Sequence, residues 1–346
     1  MAANTVRVAF LGPLASFSHQ AALETFGPTA TLLPQPSFPD ALSSVQSNTT
    51  DYAILPFENS TNGAVVQAFD LLADREGKYP DITVCGEHYL TVHQCLLVKK
   101  GYIYEKGAYH KYTPIKKLYT HPQAWGQCET FLTAHFKGIE RQDSSSTSKA
   151  AETVAKEEDG YTSAAIASKF AAELHGLDVL DEDIEDKEGN TTRFLVVGNR
   201  RGEAGGRMEE VRVGRSGGDS TTTTPTTPTA GIIGESGEQG SIHDQQQQQP
   251  QKPKQPKQKT LISFMVEHGV PGALANALTT FQRHGMNLTS INSRPSGVQP
   301  WQYIFFIECE RDPGLHGGEV IEEVMRDLRG VTEACRYLGS WRDQLG

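Results

Sequence analysis

Val6-Arg-Val-Ala-Phe-Leu11, the run Ser18 to Phe26, Thr31-Leu-Leu33, the run Pro39 to Val45 and Asp51-Tyr-Ala-Ile-Leu-Pro56 succeed one another at the start of the chain, and their order decides the fold. The first, third and fifth are short apolar stretches of strand length. The two between them open on small hydroxyl residues or on a proline in the first turn, the usual start of a helix. Strand, helix, strand, helix, strand is the pattern of an α/β unit with a largely parallel sheet. The alternation continues outward. Phe57 to Ser60 closes the third strand, Val65 to Ala73 is an apolar helix, and Ile82 to Val98 alternates over a long extended stretch. Lys117 to Thr120, a helix from Pro122 to Phe136, a short strand near Ile139 and a helix from Ser146 to Lys156 follow. Ala164-Ala-Ile-Ala167, a helix from Lys169 to Leu174 and Phe194-Leu-Val-Val197 complete the series. A block of residues 1–200 built in this way, with polar loops in both halves, predicts two lobes around a cleft, with Ile82 to Val98 crossing between them.

Downstream the composition changes. Of the 59 residues from Arg201 to Lys259, 35 are Gly, Ser, Thr, Pro or Gln and none is aromatic. Such a segment buries too little apolar surface to offset the entropy of ordering it. Residues 201–259 therefore read as a disordered low-complexity linker, with a frayed strand near Val211–Val213 and a solvated, lysine-bearing end. The block of residues 260–346 beyond it reads β-α-β-β-α, with a strand from Thr260 to Val266 and a helix from Gly272 to His284. Strands from Leu288 to Asn292 and from Tyr303 to Glu308 and a helix from Val320 to Leu328 follow. Leu274, Ala277, Leu278 and Phe281 share one face of the first of these helices. Length and order suit a small ferredoxin-like α+β module.

The 346 residues carry a formal net charge of −10, which argues against a nucleic-acid partner, since phosphates select for clustered Lys and Arg. No stretch approaches the roughly 20 apolar residues of a membrane span. Met1 to Thr5 has neither the apolar core of a signal peptide nor the Arg/Ser-rich run of a transit peptide. Five cysteines without a C-x-x-C pair predict reduced thiols, a cytoplasmic location and no metal site.

No Gly-rich phosphate cradle, His-Glu-x-x-His or Gly-x-Ser-x-Gly occurs. Polar clusters lie instead at strand ends and helix starts, where open α/β sheets bind their ligands. Gly12-Pro-Leu-Ala-Ser16-Phe-Ser18 offers hydroxyls and backbone N–H groups to a carboxylate, or a plain helix cap. Glu58-Asn59-Ser60, followed by Asn62-Gly63, is a ligand contact or a turn. His121-Pro-Gln123 precedes a helix carrying Gln127 and Cys128; His121 is a capping residue or a base, and Cys128 reads as packing. Ser144-Ser-Ser146-Thr147-Ser148 is a second candidate anion site, or a flexible serine-rich loop. In Asn190-Thr191-Thr192-Arg193-Phe194, Arg193 brings a bidentate fork for a carboxylate with the donor Thr192 beside it, unless the segment is a surface loop.

In this joint order, Gly12-Pro through Phe17-Ser18, Pro56-Phe-Glu58-Asn-Ser60, His121-Pro-Gln-Ala-Trp-Gly-Gln127-Cys128 and Asn190-x-Thr192-Arg193-Phe194 resemble prephenate dehydratase over residues 6–198. The last block, with Gly272-Ala273-Leu274 and Ser293-Arg294-Pro295, resembles the ACT domain that follows in that family. The resemblance implies a two-lobed catalytic unit similar to periplasmic binding proteins, with the active site in the central cleft. It implies a lyase that converts prephenate to phenylpyruvate, releasing carbon dioxide and water, in L-phenylalanine biosynthesis. Aromatisation drives this reaction, so neither a metal nor an organic cofactor is expected. The site must hold two carboxylates and assist a departing hydroxyl. On this reading Thr192 orients the leaving C4 oxygen, and Arg193 with the helix-start hydroxyls of Ser16, Ser146 and Thr147 holds carboxylates. Asn59, Ser60, Gln127 and Phe194 position the substrate, and Glu58 supplies a proton or serves the structure.

The ACT resemblance implies feedback regulation by L-phenylalanine. Gly272, Ala273 and Leu274 would face Asn292, Ser293, Arg294 and Pro295 across an interface between paired modules, so a homodimer or homotetramer is expected. Two positions depart from the family pattern: Ala15 stands where glycine is usual, and Asn292 where glutamate is usual. An arogenate dehydratase and a non-catalytic amino-acid-binding protein are the alternatives. The lack of a plastid-type extension favours prephenate over arogenate, and the Thr192-Arg193 pair favours catalysis over binding alone.

Overall fold

A computed structural model describes residues 5–102, 111–157, 162–202, 257–311 and 317–345. Lobe 1 is built from β1 (Arg7–Leu11), α1 (Phe17–Phe26), β2 (Thr31–Gln35), α2 (Phe38–Gln46), β3 (Tyr52–Asn59), β4 (Gly63–Ala64), α3 (Val66–Ala73) and β5 (Ile82–Thr91). The chain then crosses into lobe 2, with β6 (Cys95–Lys99), β7 (Lys117–Thr120), α4 (Pro122–Gln127), α5 (Glu129–His135) and β8 (Glu140–Asp143). Lobe 2 continues with α6 (Thr147–Lys156), β9 (Ser163–Ala167), α7 (Lys169–His175) and β10 (Leu177–Asp181), after which β11 (Thr191–Asn199) returns to lobe 1. The C-terminal module follows as β12 (Gln258–Met265), α8 (Ala273–Arg283), β13 (Asn287–Pro295), β14 (Tyr303–Arg311), α9 (Gly317–Val331) and β15 (Ala334–Arg342).

The sheet of lobe 1 has the order β2-β1-β3-β11-β5, and that of lobe 2 the order β10-β6-β9-β7-β8. The parallel pairing expected from the alternation holds for β1 with β2 and β3, and for β7 with β8 and β9. The crossing strands are the exception. β11 runs antiparallel to both β3 and β5, and β6 runs antiparallel to β9 and β10. Thr91, where the chain leaves lobe 1, is the cross-strand partner of Thr191, where it comes back. Leaving and returning at one end of the sheet forces these two strands to run in opposite directions.

Three local expectations change. The helix expected from Pro122 to Phe136 is two helices, broken at Cys128, whose backbone leaves the helical region at φ −124° and ψ 21°. Three strands, β4, β10 and β15, have no counterpart among the elements expected from the sequence. The linker expected over residues 201–259 ends earlier, because Gln258 and Lys259 already belong to β12 and Lys259 is buried rather than solvated. Residues 203–256, including Val211–Val213, lie outside the described residues.

The module is a four-stranded antiparallel sheet of order β13-β14-β12-β15. One face is covered by α8 and α9, through Ile262, Phe264, Ala277, Phe281, Val324 and Leu328. The other face packs onto lobe 1: Leu261, Ile304, Phe306, Leu338 and Trp341 share a core with Leu55, Phe57, Phe69, Leu195 and Val197. Phe306 meets Phe69 of α3 edge-on at 5.2 Å. The approach is closest at Gly339, where φ is +139° and a Cβ would lie 2.0 Å from the Val84 carbonyl oxygen. Beside it the Thr83 hydroxyl donates to the Leu338 carbonyl at 3.0 Å. Strand β11 thus has two different faces: Leu195 and Val197 point to the module, while Phe194 and Val196 pack with Ala21 and Ala22 of α1.

Candidate active site

Antiparallel pairing puts the start of β11 level with the carboxyl end of β3, so Thr192 lies opposite Asn59. The Asn59 side-chain amide donates to Thr192 Oγ1 at 3.0 Å and to Asn190 Oδ1 at 2.8 Å. Asn59 Oδ1 accepts the backbone N–H groups of Thr61 and Asn62 at 3.0 and 2.9 Å. Both ends of the amide are thereby fixed. Thr192 Oγ1 accepts a bond, which leaves the hydroxyl proton to be donated.

Next to this set is a cavity of about 350 Å³, the size of a small-ligand pocket. Thr61 and Asn62 line it from lobe 1, Gln123 and Gln127 from lobe 2, and Glu185, Lys187 and Asn190 from the returning crossing. Gln127 Oε1 accepts from Gln94 at 3.1 Å, which turns the Gln127 NH₂ group away from that bond and leaves it as a donor. His121 caps α4, its Nδ1 accepting from the Gln123 N–H at 3.3 Å. Burial pulls its pKa below the ordinary histidine value, and the Nδ1 lone pair is spent on the cap. Burial likewise pushes the Cys128 thiol up to about 12, in keeping with a packing role.

The helix-start hydroxyls form a second group. Ser16 caps α1, accepting from the His19 N–H at 3.2 Å and donating to the Leu11 carbonyl at 3.0 Å. Ser146 caps α6 by accepting from the Lys149 N–H at 3.0 Å, and Thr147 is the first residue of that helix. Ser148 reaches across to donate to the Leu14 carbonyl at 2.6 Å, tying the loop after β1 to the start of α6. Ala15 takes φ +60°, the conformation a glycine would adopt without strain, and its methyl group is buried against Ala150 and Ala151. The loop therefore keeps its shape without glycine.

Four residues stand elsewhere than expected. Ser60 Oγ accepts from the Thr191 N–H at 2.9 Å and pins the start of β11. Phe194 is 1 % exposed inside the core of lobe 1. Arg193 points away from Thr192, as neighbours in a strand must, and its fork is already taken. Its Nη2 lies 2.7 Å from both Glu87 and Glu308, the second of these belonging to the module. Burial by itself would depress the Arg193 pKa, but the charge and hydrogen bond of Glu308 and the charge of Glu87 hold it above the ordinary arginine value. Glu58 is the cross-strand partner of Arg193 and stands 4.0 Å from its Nη1, on the face opposite Thr192. The cation that does line the cavity is Lys187, which the sequence did not single out because it sits in a loop with four acids, from Asp183 to Glu188. Asn190 opens the segment that carries Thr192 and Arg193 without a signal of its own, and Gln94 stands outside every polar cluster of the sequence.

Among the described residues, His93, Asp183 and Glu185 are the grouping that could hold a cation. They already pair with one another, His93 Nδ1 lying 2.8 Å from Asp183 and 3.2 Å from Glu185. In the module, Gly272 caps α8 with φ +82°; no side chain caps the first turn, and the Ala273 N–H there donates to the Val270 carbonyl at 3.2 Å. Asn292 Nδ2 donates to Ser290 Oγ at 3.1 Å. Arg294 donates through Nε and Nη2 to Asp70 of α3, at 2.8 and 2.9 Å, and Arg75 donates to the Pro295 carbonyl at 2.8 Å. Those two members of the expected effector segment therefore hold the module to lobe 1.

Residues 8–202 match the family model of prephenate dehydratase, and residues 260–327 that of the ACT domain. The chain is 32% identical over 336 residues to a bifunctional chorismate mutase/prephenate dehydratase from Stutzerimonas stutzeri, covering 97% of this chain and 73% of the relative. It is 31% identical over 342 residues to a probable prephenate dehydratase from Saccharomyces cerevisiae, covering 89% and 88%. In fold it is similar to a prephenate dehydratase from Arthrobacter aurescens solved in complex with L-Phe, with a TM-score of 0.70 at 24% identity over 98% of this chain and 90% of that one. The quorum-quenching acylase GqqA has a similar fold too, with a TM-score of 0.69 at 24% identity over 98% of each chain. With more than half of its length matched to that model and its cleft built from the matched segment, the chain belongs to the prephenate dehydratase family.

Proposed function

We propose that the chain is a prephenate dehydratase, converting prephenate to phenylpyruvate, carbon dioxide and water under feedback control by L-phenylalanine. The carrying observation is Thr192, its hydroxyl aligned by Asn59 and its proton left to donate, in one hydrogen-bonded set with Asn190 and Thr61, which line the cavity. In the reaction the bond from C1 to its carboxylate breaks, its electron pair enters the ring, and the C4–oxygen bond breaks as the ring becomes aromatic. One proton from solvent or a bound water converts the departing hydroxide to water. Thr192 donates to that oxygen as its charge develops, which stabilises the transition state more than the ground state. Lys187 and the Gln127 amide supply charge and donors for the carboxylates in place of Arg193.

Arogenate differs by an ammonium group in place of the keto oxygen. The match to the prephenate dehydratase model and to relatives of that name supports the keto acid. The first turn of α8, which no side chain caps, supports an amino-acid carboxylate as effector. Edge strand β13, with Leu288 and Ile291 exposed, supports pairing of two modules, hence a dimer or tetramer. Among the described residues no helix is long and apolar enough to cross a membrane, and a cytoplasmic location belongs to the same reading.

The test is to incubate the full chain with prephenate and follow phenylpyruvate by its absorbance in alkali. Turnover that survives chelation and dialysis and falls with millimolar L-phenylalanine is expected. Phenylalanine formed from arogenate, with no phenylpyruvate from prephenate, would replace the substrate assignment.

A further inference from the structure

We propose that the buried Glu308–Arg193 ion pair makes the ACT sheet a positioning element for Thr192, so that the module holds the catalytic strand in register. The proposal rests on the dehydratase reading above.

Arg193 follows Thr192 at a weak point of the sheet. Its partner on β3 is Glu58, but the partner of Phe194 is Pro56, so the ladder skips Phe57 there. A bulge of this kind lets a strand bend and re-aims the side chains beside it. On its other side β11 stays in unbroken register with β5 from Thr191 to Val196, and Ser60 pins Thr191, so the side toward β3 is the one the bulge loosens. The guanidinium anchors that side, binding Glu87 through Nε at 2.9 Å and through Nη2 at 2.7 Å, and Glu308 through Nη2 at 2.7 Å. Phe57, Tyr89 and Trp341 surround it with ring centres 5.7 to 6.0 Å away.

The carboxylates depend on the module in turn. The Glu87 side chain has no solvent exposure, and its Oε1 is held by Lys259 Nζ at 3.1 Å and the Gln344 N–H at 3.0 Å. Lys259 continues to Asp343 at 2.8 Å. Glu308, Lys259, Asp343 and Gln344 all come from the C-terminal block, while Arg193 and Glu87 come from lobe 1. Apolar residues would join two domains at least as well, since desolvating charges is costly. What a buried, directional pair adds is a single register.

Glu308 also stands beside the expected effector segment. It lies on β14 opposite Ser290 of β13, where the register shifts between Leu288 and Ser290, and the Thr289 hydroxyl donates to its carbonyl at 3.3 Å. Strand β13 then runs on to Asn292 and Pro295. A shift of β13 on effector binding would reach Arg193 through one strand and one ion pair, which gives the reciprocal coupling between sites a physical carrier.

The experiment uses the full chain with Glu308→Gln and, as a milder variant that keeps the charge, Glu308→Asp. A misplacement of Thr192 predicts a fall in kcat of about 10- to 100-fold for Glu308→Gln, with KM changed far less, and an intermediate fall for Glu308→Asp. Calorimetry is expected to show L-phenylalanine still bound while its effect on kcat shrinks. Combining Glu308→Gln with Arg193→Gln is expected to cost no more in kcat than Arg193→Gln alone. Folded Glu308 variants with wild-type kcat and wild-type inhibition, even at a lowered melting temperature, would overturn the proposal. An inactive wild-type chain would instead overturn the dehydratase reading.

Discussion

Lobe 1 and lobe 2 have similar sheets but different support. The sheet of lobe 1 is covered by α1 on one face and by α2, α3 and the ACT sheet on the other, with Phe57, Phe69, Phe306 and Trp341 filling the second core. One of the two cores of lobe 2 is built largely on small residues: Ala150, Ala151, Ala165, Ala167, Ala171 and Ala172. Fully burying a large apolar side chain contributes about 1.5–3 kcal/mol, and an alanine methyl far less. The residue expected to act on the leaving group thus stands on the lobe that the ACT sheet buttresses, and Gln127, expected to hold the substrate, stands on lobe 2, which has no such second sheet and whose other core, with Tyr102, Leu132 and Phe136, lies beside its helix. The contrast teaches where rigidity is needed. A hydroxyl that must donate to a departing oxygen has to be fixed, whereas a wall of the cavity has to admit the substrate and release the product.

The comparison can be broken first at the chemistry. Thr192→Val is expected to lower kcat by about 100-fold or more, with KM nearly unchanged, since it removes a donor used as charge develops. Steady-state kinetics checks this, and a rise in KM alone would assign Thr192 to binding. Next comes the buttress. Trp341→Ala removes a side chain that is 4 % exposed from the shared core, and a loss of about 3–5 kcal/mol in chemical unfolding is expected. Gly339→Ala acts at the closest approach and is expected to cost about 1–3 kcal/mol, because β15 must move away from Val84.

The smallest effect belongs to the half-exposed tie between Asp70 and Arg294. Its hydrogen bond to Arg294, against the cost of burial, holds the Asp70 carboxyl below its ordinary pKa. A carboxyl whose pKa is lower in the folded state stabilises in full above its unfolded value of about 4, and that contribution is lost as the pH falls further. Asp70→Asn is therefore expected to cost at most about 1 kcal/mol at neutral pH and nothing in strong acid. Melting curves between pH 7 and pH 3 test this sign.

Much of this frame was legible because local patterning decided it. The runs Val6 to Leu11 and Asp51 to Pro56 became β1 and β3, and Ile82 to Val98 became the crossing strands. Strand β15 was missed because Arg336, Tyr337, Gly339 and Ser340 break the apolar signal, and a partly buried sheet face set on another domain needs no strict alternation. The site was legible as motifs but not as directions. Thr192 and Arg193 are adjacent in sequence, and only the pleat of β11 sends one to Asn59 and the other to Glu308. A spacing of more than 100 residues separates Arg193 from Glu308, so no local pattern could pair them. The same separation hides the burial of Lys259 from any local pattern: its counter-charges, Glu87 and Asp343, are distant in the chain.

Native-state hydrogen exchange tests the central claim, that lobe 1 and the ACT sheet form one cooperative unit around Thr192, most directly. Amides of β11 and β12 are predicted to exchange through a common opening, later than those of β9, and Glu308→Gln is predicted to accelerate β11 and β12 together while leaving β9 unchanged. Exchange of β11 in step with β9 and independent of β12 would contradict it.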